Sequence, residues 1–187
     1  MERRELLKMI AALTGGAFIG GELLTSCKTS PAIGGPVFGE ADTAFLDEVA
    51  ETILPATKTP GAKAAKVGQF MVVMVNDTYE DKDQKIFHEG IGKLDGASKK
   101  ANGKSFLEST PEQRTALLTA LDKEAKDYQK GKKPEDPNHY FTMMKQLTLF
   151  GFFTSKEGAT QALRYIAVPG KYDGAYPYKK GDKAWAT

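Results

Sequence analysis

The sequence predicts an all-α protein: a compact, irregular bundle of five or six helices with an extended aromatic C-terminal tail. Three observations carry that expectation. Apolar residues recur at spacings of three and four along most of the chain. Capping residues mark the helix starts, at Asp42, Thr110-Pro111-Glu112-Gln113 and Thr154-Ser155-Lys156-Glu157. Long apolar–polar alternation, the mark of strands, is scarce. The 187 residues suit one domain, or one domain plus a targeting segment, and a 41% hydrophobic fraction is enough to build a core.

The chain opens with "MERRELLKMIAALTGGAFIGGELLTSCK". A charged front precedes 13 uncharged residues, Met9 to Gly21, too short to cross a bilayer comfortably. Arg3-Arg4-Glu5-Leu6-Leu7-Lys8 resembles a twin-arginine export signal. A general secretory signal and an ordinary amphipathic helix are the alternatives. Leu24-Thr25-Ser26-Cys27 resembles a bacterial lipobox, in which the cysteine takes a diacylglycerol thioether and becomes the new first residue. The competing reading is a small buried thiol. Glu22 inside the apolar stretch departs from the signal pattern. Residues 1–26 are therefore expected as a lipoprotein signal of twin-arginine type, and residues 27–41, rich in Gly, Pro and Ser, as a tether. The location that follows is periplasmic and membrane-anchored through Cys27.

The helical domain is expected over 42–187, with the tail at 168–187. Asp42 caps "TAFLDEVAETIL", where Phe45, Leu46, Val49 and Ile53 form one stripe and Pro55 ends the helix. "PATKTPGAKAAK" reads as a loop. Val67, Phe70, Met71, Met74 and Val75 form the second stripe. A third helix is predicted over 83–100, with Ile86, Phe87, Ile91 and Leu94 inward; Gly90, Gly92 and Gly96 work against it at about 1 kcal/mol each. Thr110 to Gln113 is a capping box with proline at the first helical position, followed by Leu117, Leu118, Leu121 and Ala125 until Gly131 and Pro134. Asp136-Pro137 opens a fifth helix carrying Tyr140, Phe141, Met144 and Leu147. A sixth is predicted from Thr154 through Leu163 to about Ile166.

Candidate chemistry is sparse. Net charge is +2, which argues against a general nucleic-acid binder. One cysteine rules out an intrachain disulfide, a multi-cysteine zinc site and a CxxCH haem attachment. "GIGKLDG" has the wrong glycine spacing for a dinucleotide fingerprint, and no phosphate loop or nucleophile elbow is present. His88 reads as solvent-exposed, and His139 as a capping or surface residue. Asp81, Asp83, Glu135 and Asp136 belong to turns and helix starts. Met71, Met74, Met143 and Met144 read as core packing rather than haem ligands. Phe150, Phe152 and Phe153 either complete the core or face a partner. Tyr172, Tyr176, Tyr178 and Trp185 either fold back on the bundle or pack on another chain. No catalytic, cofactor-binding or metal-binding residue is expected.

Three long segments together resemble one family: "FLDEVAETILPATKTPGAKAAKVGQFMVVMVND", "FHEGIGKLDGASKKANGKSFLESTPEQRTALLTAL" and "YFTMMKQLTLFGFFTSKEGATQALRYIAVPGKYDGAYPY". They are similar to the gluconate 2-dehydrogenase subunit 3 family. The most specific pieces are Ile53-Leu54-Pro55 with Pro60-Gly61-Ala62, the Phe152-Phe153-Thr154-Ser155 turn, and Pro169-Gly170-x-Tyr172-x-Gly174. The resemblance implies a non-catalytic small subunit. Its partner would be a FAD-dependent flavoprotein of the glucose-methanol-choline type that oxidises a sugar or sugar acid, often passing electrons to a c-type cytochrome. FAD would sit in the partner and no cofactor in this chain. The small subunit would bind the folded flavoprotein through Phe150, Phe152, Phe153, Tyr172, Tyr176, Tyr178 and Trp185, and supply its export signal. A lipobox is not general in the family, so Cys27 rests on this sequence alone. The competing reading is a stand-alone periplasmic lipoprotein that stacks a carbohydrate on Tyr172, Tyr176, Tyr178 and Trp185.

Overall fold

The structure, a computed structural model, describes residue 34 and residues 37–168 and 170–186. Arg3, Arg4, Cys27, the signal segment and most of the tether lie outside the described residues. The described chain is all-α, as the sequence predicts. Its helices are α1 (Glu40–Ile53), α2 (Val67–Thr78), α3 (Asp81–Asn102), α4 (Pro111–Gly131) and α5 (Tyr140–Thr154). A π-helical turn (Gly158–Ala162) and two short strands, β1 (Arg164–Tyr165) and β2 (Trp185–Ala186), complete it.

α1 begins two residues before the boundary expected at 42. Gly39 is the N-cap, and Asp42 lies one turn in. Asp42 still closes the helix end, by a different route: its carboxylate accepts the Gly39 N–H at 2.9 Å and the Gly34 N–H at 2.8 Å. The last tether residues thus belong to the domain. Phe38 stacks on His88 at 4.0 Å between ring centroids and meets Phe87 edge-on at 6.1 Å.

Phe45, Leu46 and Val49 on α1 are fully buried, as their stripe predicts. After Ile53 the loop at 54–66 is organised by Glu51, which accepts the Ala56 N–H at 2.9 Å and the Lys63 N–H at 2.8 Å. Ala62 at its far end is buried and donates its N–H to the Leu54 carbonyl. α2 buries Val67, Met71 and Val75, with Phe70 and Met74 half-buried at the edge of the core.

α3 is longer than predicted, and its glycines do not break it. Gly90 sits where α3 crosses α5: a Cβ there would lie 2.5 Å from the Tyr140 Cβ. The residue that costs helix propensity permits the close crossing. His88, read from the sequence as solvent-exposed, is only 7% exposed because Phe38 covers it.

The Thr110 capping box forms as predicted. The Gln113 N–H donates to Thr110 Oγ1 at 3.3 Å, and the Thr110 N–H donates to Gln113 Oε1 at 3.0 Å. α4 ends at Gly131, its expected stop. The fifth helix begins later than Asp136-Pro137 suggested. Asp136 closes a turn by accepting the Lys133 N–H, and His139 caps α5 by accepting the Phe141 N–H on Nδ1 at 3.2 Å.

α5 touches each of the other four helices. That placement explains why it is apolar on most faces rather than along one stripe. Tyr140, Phe141, Met143, Met144, Leu147 and Phe152 on α5 join the core. Burial, with Glu124 adding, pushes the Tyr140 phenol up to about 12.

The sixth helix is shorter than predicted. Thr154 is the last residue of α5, not a cap. Ser155 takes that role, accepting the Gly158 N–H at 3.0 Å. The turn that follows ends at Ala162, and Arg164 and Tyr165 are extended rather than helical. They pair with Trp185 and Ala186 in a parallel ladder.

Candidate partner interface

Two surfaces carry the aromatic residues singled out by sequence. The first is the C-terminal end of α5. Leu149, Phe150 and Phe153 emerge here because the helix outlasts the core that covers its earlier turns. Phe150 is 51% exposed. Phe152, by contrast, is 4% exposed and belongs to the core. A helical turn sends adjacent residues to different faces, so Phe152, expected at the partner interface, instead completes the core, while Phe150 and Phe153 stay at the surface.

α2 extends the patch. Phe70 packs edge-on against Phe150 at 5.6 Å, and Gly151 makes the approach possible: a Cβ there would lie 2.6 Å from the Phe70 ring. Val73, one turn further along α2, is also exposed. Sequence reasoning named neither Leu149 nor Val73 here, because a single exposed aliphatic residue carries no distinctive signal.

The second surface is the tail. The Arg164 N–H donates to the Ala184 carbonyl at 2.8 Å, and the Ile166 N–H to the Ala186 carbonyl at 2.9 Å. Lys183 Nζ donates to the Gln161 carbonyl. These bonds bring the end of the tail back beside the π-helical turn. The chain between them is stapled by Asp173, which accepts the Ala175 N–H, and by Asp182, which accepts the Lys179 N–H. The tail therefore folds back on its own backbone, yet its rings are left open. Tyr172 is 95% exposed, and Tyr176, Tyr178, Tyr165 and Val168 are exposed as well.

Trp185 and Tyr176 differ from Tyr172 and Tyr178 in packing together with a cation, while staying exposed. The Arg164 guanidinium lies over the Trp185 ring at 4.1 Å and over the Tyr176 ring at 5.7 Å. Tyr176 also meets Trp185 edge-on at 5.4 Å. Arg164 was not singled out by sequence. Its one signal was a basic residue directly ahead of an aromatic-rich, Gly/Pro-broken stretch.

The remaining candidates are structural. His139 packs between Tyr128 and Tyr140 and caps α5. Met71, Met143 and Met144 are buried and Met74 half-buried, in accord with core packing. Asp81 and Asp83 occupy the first turn of α3. Two shallow grooves of about 250 Å³ each flank the α4–α5 seam and share Asp122 and Lys145. Lys126 and Lys145 hold the Asp122 carboxyl below the usual carboxylate range. Among the described residues, no group of three or more His, Cys, Asp or Glu side chains is placed to hold a metal ion. No described helix is long and apolar enough to cross a membrane.

A family model described as Gluconate 2-dehydrogenase subunit 3 matches residues 40–170, which is more than half of the chain. The matched span opens with α1 and closes just inside the tail. No curated protein and no solved structure matches.

Proposed function

The chain belongs to the gluconate 2-dehydrogenase subunit 3 family, and from that premise we propose that it is the non-catalytic small subunit of a FAD-dependent sugar or sugar-acid dehydrogenase. The partner is a flavoprotein of the glucose-methanol-choline type. It carries the FAD and the reacting groups, and a c-type cytochrome takes the electrons. This chain contributes a docking surface: the α5 end, with Phe150 and Phe153, and the tail, with Tyr172, Tyr176, Tyr178 and Trp185.

The family match is the observation that carries this reading. The open aromatic surface supports it, since Tyr, Trp and Phe are enriched where one protein buries itself against another. The N-terminal segment supplies the rest of the role. A flavoprotein that takes up FAD in the cytoplasm crosses the membrane folded. Arg3 and Arg4 on its bound partner supply the address for that route. Cys27, once lipidated, then holds the complex at the membrane on the periplasmic side. Each buried methylene contributes about 0.8 kcal/mol, so several acyl chains make a stable anchor.

The test is co-expression of the tagged full chain with a flavoprotein of this type from the same genome. The reading requires a flavin-containing protein in the eluate. It is lost if none elutes and the flavoprotein is still exported and active without this chain.

The carbohydrate-binding alternative draws on the open rings of Tyr172 and Tyr178. Trp185 offers less to it, because Arg164 already occupies one face of its ring, although the residue is 43% exposed. Titrating sugars against Trp185 fluorescence separates the two: a saturable change favours the carbohydrate reading.

A further inference from the structure

We propose that Arg164, lying over the Trp185 ring with Tyr176 alongside, is the charged anchor of the docking surface and receives a carboxylate from an acidic face of the flavoprotein. The inference deepens the reading above and rests on it.

The first observation is the state of the guanidinium. Its Nε is buried and has no hydrogen-bond partner. Among the described residues no carboxylate lies within ion-pair reach of Arg164. Arg114, the other arginine of the described chain, is fully engaged: it pairs with Glu48 at 2.8 Å and donates to the carbonyls of Phe106 and Leu107. A partly covered cation without an anion is a costly arrangement unless something completes it. The two rings supply part of the compensation through their electron-rich faces. What the rings cannot satisfy is the Nη pair, whose N–H groups fork onto a carboxylate, while the buried Nε stays out of a partner's reach.

The second observation is preorganisation. Arg164 sits on β1 and Trp185 on β2, so the ladder fixes both ends of the stack. Lys183 ties the same strand to the π-helical turn through the Gln161 carbonyl. An arginine packed over an aromatic ring has less rotamer freedom left to lose on binding. Arg, Tyr and Trp are the residue types that most often dominate binding energy at protein interfaces.

The third observation is charge. From Arg164 onward the chain carries five basic residues, Arg164, Lys171, Lys179, Lys180 and Lys183, against two acidic ones. Both acidic residues, Asp173 and Asp182, are spent on backbone N–H groups of the tail itself. The face is therefore basic, and its complement is acidic. Apolar contact at Phe150 and Phe153 and ionic contact at Arg164 divide the surface into two kinds of anchor.

The experiment uses the full chain and the co-expressed flavoprotein, identified by its flavin absorbance, with affinity measured by titration. The wild-type chain binds it, with an affinity that falls as NaCl is raised from about 50 mM to about 500 mM. R164Q weakens binding at least tenfold and flattens the salt dependence. R164K restores it only in part, because an ammonium has no fork. W185A, which keeps the charge but removes the ring, also weakens it. K130Q, a change of equal charge at the end of α4, leaves the affinity unaltered. Circular dichroism of each variant matches wild type, since Arg164 and Trp185 lie outside the helices and Lys130 is an exposed residue in the last turn of α4.

Three outcomes overturn the inference. Failure of the wild-type chain to bind the flavoprotein removes the proposed function, and this anchor with it. Wild-type binding that R164Q leaves undiminished removes the anchor alone. Binding of the full chain to anionic phosphatidylglycerol vesicles, abolished by R164Q while flavoprotein affinity is unchanged, assigns the residue to a membrane surface instead.

Discussion

Arg114 shows how a single side chain ties distant parts of this molecule together. It reaches from α4 to Glu48 on α1, 66 residues away in sequence, and its guanidinium lies over the Phe106 ring at 5.4 Å. Glu48 is shared with Lys63 of the loop at 54–66, at 2.9 Å. Hydrogen bonds from Lys63 and Arg114 hold the Glu48 carboxyl below its ordinary value of 4.5, against the opposing effect of burial. The pair's contribution is therefore complete above that value and is lost as pH falls through the lower folded value. Urea unfolding followed from neutral pH down to about pH 3 should show a steep acid limb in the wild type and a shallower one in E48Q. At pH 7, R114A should cost about 2 kcal/mol, because it leaves Glu48 and two carbonyls short of donors. Gly90→Ala gains about 1 kcal/mol of helix propensity but drives a methyl into Tyr140. Overpacking of that kind costs roughly 1–3 kcal/mol, so the same unfolding assay should find the variant less stable than wild type. None of these contacts was legible in the sequence. Charged partners far apart along the chain leave no local pattern, and a glycine that permits a helix crossing looks like one that weakens a helix. His88 illustrates the same limit: its neighbours Lys85 and Glu89 suggest an exposed face, and only the docking of Phe38 covers it.

Helices were far more legible, because their cause is periodic and local. The stripes of α1 and α2 and the start and stop of α4 follow from apolar spacing, a capping box and a terminal glycine. Thr110→Ala should cost about 1 kcal/mol through the lost cap, read as a lower urea midpoint with an unchanged slope. Errors concentrated where two local signals overlapped. Thr154 and Ser155 both offer a capping hydroxyl, and α5 runs on to Thr154 because its last turn still packs on α2. The extended pairing of Arg164 with Trp185 joins residues 21 positions apart, so no short-range pattern foretells it. At the α5 end, the split between buried Phe152 and exposed Phe150 and Phe153 yields a sharp contrast. Phe152→Ala should destabilise the bundle by roughly 3 kcal/mol. The F150S/F153S double variant should stay within about 1 kcal/mol of wild type and lose flavoprotein binding instead. Paired unfolding and binding titrations distinguish a core residue from a docking residue in one experiment.

At the scale of the whole molecule, the described chain is a small helical scaffold whose conspicuous features are outward-facing rings and a basic tail. The family match covers that scaffold, and the features that sequence alone attached to export and anchoring, Arg3, Arg4 and Cys27, precede it. Fold and family were both readable from sequence because helical periodicity and the long quoted segments span most of the domain. The make-up of the proposed docking surface was only half readable. The aromatic residues could be counted in the sequence, but their exposure depends on which side of α5 faces the core and on where the tail closes. In the proposed complex this chain brings surface and address while a flavoprotein brings the chemistry. Sugar or sugar-acid oxidation in the exported fraction, compared between cells with and without this chain and with the flavoprotein present in both, tests that most directly. Activity is expected only when both chains are present, with the flavoprotein retained in the cytoplasm otherwise. Equal exported activity in the absence of this chain would contradict it.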